Sequence, residues 1–231
     1  MKHLLIHAIA FVLVLTACGQ SVAPRKSNAP ITIAPTPIPP DANTLAHHIL
    51  PALREKLFRE DETLNNIAQN GFKDRGELAS MVLGRPAPGY ESSVEVLRSY
   101  RRGQRFADLL GQEEHWVVPV LAGKQLRGLA FVSGTSLVGY RALPLRNDPN
   151  VLLPYWDDPT TTVKVLTIPQ LFTDFVVFER GNEEFLAYLS PQGYFADLDA
   201  QAYQPMVPEQ LLPAINSALT HHCGRWPFNH C

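Results

Sequence analysis

The sequence predicts an α+β domain, with N-terminal helices packed on an antiparallel sheet built from two strand groups and a closing C-terminal helix. Three observations predict it: four-residue apolar spacing near residue 50, β-rich runs from Trp116 onward, and a proline-led apolar helix pattern after Pro208. Leu45, Ile49, Leu53 and Leu57 fall on one helical face, Asp41 or Asn43 is available as N-cap, and Pro51 should kink or divide the helix. Leu64, Ile67 and Ala68 before Gly71 suggest a second short helix. Asp74 before Glu77 to Leu83, with Gly84 as the stop, suggests a third. Ser92 with Glu95 has capping-box spacing and should start a helix through Val94, Leu97 and Tyr100, which Gly103 interrupts before Phe106 to Leu110. Trp116 to Leu121, Leu126 to Val132 and Ser136 to Leu143 then read as a meander with turns at Ala122-Gly123-Lys124 and Ser133-Gly134. A second strand group spans Thr162 to Ile168, Asp174 to Phe178 and Glu184 to Ser190, split by Arg180-Gly181-Asn182. The two groups are faintly alike, Trp116-Val117-Val118 against Phe175-Val176-Val177, a likeness that composition alone accounts for. Pro208 followed by Leu211, Leu212, Ile215 and Leu219 gives the last helix, with the proline in its first turn.

With 45% hydrophobic and 18% charged residues the chain can bury a core, and its composition is not that of a disordered protein. The net charge of -2 and the lack of a basic block argue against nucleic acid as an electrostatic partner. Arg101, Arg102 and Arg105 read as a solvated helix face.

Residues 1–17 read MKHLLIHAIAFVLVLTA: a cation at Lys2, an apolar stretch from Leu4 to Leu15 broken only by His7, then small residues. This is the layout of a secretory signal, too short to stay as a transmembrane helix, which needs about 20 apolar residues. The tetrad Leu15-Thr16-Ala17-Cys18 resembles the lipobox of bacterial lipoprotein precursors. That resemblance implies cleavage before Cys18 and lipid attachment, diacylglycerol and palmitate, at Cys18. The expected partners are then the membrane, through the anchor, and an envelope protein or ligand. Gly19 departs from the Asp that commonly retains such proteins at an inner membrane, which favours the outer membrane where there is one. Residues 18–41 become a lipid-anchored linker. Its six prolines among Ser, Thr, Ala and Asn form no core, and at ~3.1 Å per residue it reaches roughly 70 Å. Residues 42–231 are expected to form a single extracytoplasmic domain.

With Cys18 lipidated, Cys223 and Cys231 are the thiols left in an oxidising compartment, where a disulfide closing the C-terminal tail is expected. Zinc on these thiolates with His221, His222 or His230 is the alternative. Adjacent imidazoles at His47-His48 and His221-His222 point to different sides of a helix and read as surface residues. No catalytic residue, metal site or cofactor is assigned. There is no Gly-x-Ser-x-Gly elbow and no HExxH, and Gly71 to Gly76 lacks the Lys-Ser/Thr of a phosphate loop. Ser133-Gly134-Thr135-Ser136 is turn composition, and His115 shows no identifiable Ser or Asp partner in the sequence. Asp157-Asp158 and Glu183-Glu184 read as solvated turn carboxylates, and Asp197 with Asp199 as an acid pair that could share one side of a strand. The expected function is non-enzymatic binding of a ligand or partner at the cell envelope, with an extracytoplasmic hydrolase or metal-dependent enzyme as the alternative.

Overall fold

The computed structural model describes residues 38–64, 66–143, 148–169, 173–189 and 201–223. The signal segment, Cys18, most of the linker, Asp197, Asp199, His230 and Cys231 lie outside the described residues, as do the side chains of Leu219, His221, His222 and Cys223. The described residues all belong to the compact unit Pro35–Cys231.

The chain enters through α1 (Ala42–Thr44), whose N-cap Asp41 accepts from the Thr44 N–H at 2.6 Å. A π-helical turn, Leu45–Ile49, leads into α2 (Leu50–Leu64). Pro51 therefore sits in the first turn of α2, and the division it causes falls just before Leu50. Leu45, Ile49, Leu53 and Leu57 are all buried, as their spacing requires.

Two helical expectations fail here. Ile67 to Gly71 is a turn: Phe72, wholly buried, draws the chain into the core, and its N–H donates to the Ile67 carbonyl. The third helix, α3, spans only Arg75–Ala79 and is capped by Asp74, while Met81–Leu83 is a strand, β1. Met81 is buried and Val82 exposed, the alternation of a strand. A second strand, β2 (Ala87–Glu91), contains Pro88 and Gly89, poor strand formers that hide it from sequence reasoning.

The helix α4 (Glu95–Ser99) is shorter than expected, and Ser93 rather than Ser92 accepts from the Glu95 N–H, at 3.3 Å. A 3₁₀ turn, Phe106–Leu109, precedes β3 (Glu113–Ala122), β4 (Gln125–Ser133) and β5 (Ser136–Ala142). A second 3₁₀ turn, Pro149–Leu152, and α5 (Leu153–Trp156) are too short to leave a periodic signal. They lead to β6 (Thr162–Ile168), β7 (Thr173–Arg180) and β8 (Glu183–Tyr188), and α6 (Pro208–Cys223) closes the unit. Three hairpin turns among the described residues place Gly123, Gly134 and Gly181 at φ of 61, 58 and 61°, the conformation those glycines signal.

The described strands form one eight-stranded sheet, ordered β5-β4-β3-β2-β6-β7-β8, with β1 also on β3. The fold class is α+β, and the two meanders β3–β5 and β6–β8 are the two expected strand groups. The sheet is not wholly antiparallel: β2 runs antiparallel to β3 but parallel to β6, so it is this strand that joins the meanders.

Alternation along β3 divides the core. Trp116, Val118 and Val120 pack with Ile49, Leu53, Leu57 and Phe72. Val117 faces the other way and belongs to a larger cluster with Leu97, Phe106, Trp156, Phe178 and Ile215.

The sheet also curls. Arg141 on β5 and Asp174 on β7 lie five strand steps apart, about 24 Å across a flat sheet at ~4.8 Å per step. Yet Arg141 Nη1 is 2.6 Å from Asp174 Oδ2. The face carrying both residues is therefore concave, and the pair clasps one meander to the other.

A candidate binding groove on the concave face

Paired residues of neighbouring strands share a face, so the register dictates which side chains meet at this clasp. Glu91 pairs with Thr167 and Thr167 with Asp174. Gly89 pairs with both His115 and Val165, and Phe131 with Val117 and Gly139. These rows form a groove of about 540 Å³ whose lining includes Glu91, Glu114, His115, Phe131, Val138 and Arg141.

Each wall has a local cause. The Asp174 side chain is wholly buried within the apolar strand β7; Thr167 Oγ1 donates to its Oδ1 at 2.7 Å, and Arg141 faces its Oδ2. Burial pushes the Asp174 carboxyl above its usual range, against the pull of Arg141 and Thr167. Arg141 also lies over the Phe131 ring, 5.9 Å from its centroid, and the His115 ring meets the same ring at 5.4 Å.

His115 lies down across β2 because Gly89 has no side chain: a Cβ there would sit 2.5 Å from both Cδ2 and Nε2 of the imidazole. Nε2 is buried with no hydrogen-bond partner among the described residues. Burial holds the His115 pKa below the ordinary imidazole value, with Glu91 pulling the other way, so burial favours the neutral ring. Val138 is the extra residue of a β-bulge, because β5 steps from Gly139 to Leu137 while β4 advances from Phe131 to Val132. The bulge turns Val138 outward, 66% exposed, at the rim of the groove.

The other candidate residues lie elsewhere. His47 and His48 are exposed on the π-helical turn. Asp157 is exposed, and Asp158 accepts from the Thr160 N–H at 2.8 Å and approaches Arg180 at 3.4 Å. Glu183 is exposed, but its neighbour Glu184 is no idle turn residue: its two carboxylate oxygens accept from the N–H groups of Phe106 and Ala107 at 2.7 and 2.8 Å. It caps the first 3₁₀ turn from across the fold. Among the described residues no three His, Cys, Asp or Glu side chains converge as a metal site. No helix among them is long and apolar enough to cross a membrane.

Of the sequence candidates, His115 and Ser133 reach the groove. Glu91, Phe131, Arg141, Thr167 and Asp174 escape sequence reasoning, and the one available signal is an acid, Asp174, set before the apolar run Phe175 to Phe178. No family model, no curated protein and no solved structure matches the chain.

Proposed function

We propose that the chain is a lipoprotein of the cell envelope, anchored through Cys18, whose domain binds a ligand or partner in the concave groove and performs no chemistry on it. The observation that carries the binding role is the groove itself: a concave surface of about 540 Å³ with an aromatic wall, His115 and Phe131, beside the ion pair of Arg141 with the buried Asp174. The lipobox supports the anchor, and the proline-rich segment before Ala42 supports a domain standing off its membrane.

Two measurements test the reading. Labelled palmitate should enter the wild-type chain and not Cys18→Ala, and equal labelling removes the anchor from the proposal. Cross-linking in intact cells, with a photoreactive residue at Val138, should trap a ligand or partner that the same residue at exposed Glu183 does not trap. Identical products from both positions would remove the groove.

A hydrolase is the second reading, because His115 and Ser133 line the same groove. It requires Ser133 to react with a fluorophosphonate at neutral pH, and a reaction lost in His115→Gln would favour it.

A further inference from the structure

Resting on the groove reading, we infer that the groove takes a ligand with a cationic head, an ammonium or guanidinium, on a flat apolar body. Charge is the first reason. Glu91 and Glu114 are exposed at the rim, and neither forms an ion pair with another described residue. Among the described lining residues the positive charge is Arg141, which already faces the wholly buried Asp174. Burial disfavours a charge on the His115 ring. Even with Asp174 protonated, two rim carboxylates outnumber one guanidinium. The described lining is therefore net negative, and a concave low-dielectric wall behind exposed carboxylates concentrates that field.

The walls set the shape of the guest. Phe131 supplies an aromatic wall, over which Arg141 already lies at 5.9 Å from the ring centroid. Gly139, directly across from Phe131 in the register, adds no side chain, and the nearest ring atom would lie 3.8 Å from a Cβ built there. Phe131 and the outward Val138 both line the groove, and a planar apolar group lying against them would carry its charged end toward Glu91 and Glu114. An anionic ligand would be repelled by those two carboxylates, and Arg141 already faces Asp174.

The test compares two probes of similar shape and opposite charge, tyramine and 3-(4-hydroxyphenyl)propanoate, titrated by ligand-observed NMR against the full chain in neutral detergent. Tyramine should bind at least about ten-fold more tightly than the anion, the size expected when one charge pair near a surface is worth roughly 1.4 kcal/mol. The preference should fall to about one in Glu91→Gln/Glu114→Gln, both exposed positions. Val138→Trp, which fills the rim, should abolish binding of tyramine. Equal binding of both probes, tighter binding of the anion, or a preference that survives Glu91→Gln/Glu114→Gln overturns the cationic ligand; if Val138→Trp still removes binding, the groove reading stands. Binding unchanged by Val138→Trp, or no binding of either probe to the wild type, overturns both.

Discussion

The two meanders have the same three-strand path and differ at one strand: β3 and β4 are as buried as β6 and β7, and β5 is open to solvent. In β7 the six residues Thr173 to Phe178 are all buried, and β6 buries Val163 and Val165 on one face and Leu166 and Ile168 on the other. In β5 none of Ser136 to Ala142 is buried, and Ser136 and Val138 are exposed. The difference follows from what covers each. α5, α6 and the Phe106–Leu109 turn contribute Trp156, Leu211, Leu212, Ile215 and Phe106 to the cluster that holds β6–β8. The N-terminal helices reach β3 and β4 on one face and leave the concave side of β5 open. A continuous apolar run is what burial on both faces selects, and a mixed strand with a bulge is what an open edge tolerates. The buried strands thus supply rigidity, and the open edge at β5 supplies one side of the groove.

The largest effect expected from this contrast is in the cover of β6–β8, at α5. Trp156→Ala removes a wholly buried side chain that packs edge-on against Phe178 and donates its Nε1–H to the Arg85 carbonyl at 2.8 Å. It should cost about 3–5 kcal/mol in urea unfolding. Phe131→Ala, in the partly exposed groove wall, should cost clearly less, and equal losses would break the comparison.

Next in size is the clasp between the meanders. Asp174→Ala removes the buried partner of Arg141, but Arg141 is 28% exposed and regains some water, so roughly 2–3 kcal/mol is expected. Arg141→Ala alone should prove more costly than Asp174→Ala/Arg141→Ala together, because the single change orphans a buried carboxylate. The reverse order would mean that the clasp matters less than the packing of its two side chains.

A smaller loss, about 1–3 kcal/mol, is expected for Gly89→Ala, whose Cβ would press on the His115 ring and on Val117 Cγ2 at 3.0 Å. The combined Gly89→Ala/His115→Ala variant should recover much of it, because the clash is with that ring. Failure of the recovery would place the cost in the backbone of β2.

The smallest effect is a pH slope. His115 has a folded-state pKa below its unfolded value, so the unfolded chain takes up the proton first as pH falls. Its contribution is fully present above about 6.5 and is lost as pH falls through the folded-state pKa. His115→Gln should flatten the stability profile below about pH 6.5, and an unchanged slope there would assign it to other groups.

Local signals determined the elements that stand on their own periodicity. The Leu45 to Leu57 face, the hairpin glycines at 123, 134 and 181, both meanders and the helix after Pro208 are legible because each depends on residues a few positions apart. The lipobox reading of Cys18 also belongs to the sequence alone, as does the expected pairing of Cys223 with Cys231. Tertiary structure decided the rest. Met81 to Leu83 continues a helical pattern by itself and becomes a strand only because β3 offers Val120 to Ala122 as partners. β2 has no strand signature; its place between β3 and β6 gives Pro88 and Gly89 a role that propensity argues against. The groove depends on curvature that brings residue 141 to residue 174 and on pairing that sets residue 91 beside residue 167. Such contacts are fixed by the register and coiling of non-adjacent strands, which depend on the whole sheet and leave no periodic trace in the chain.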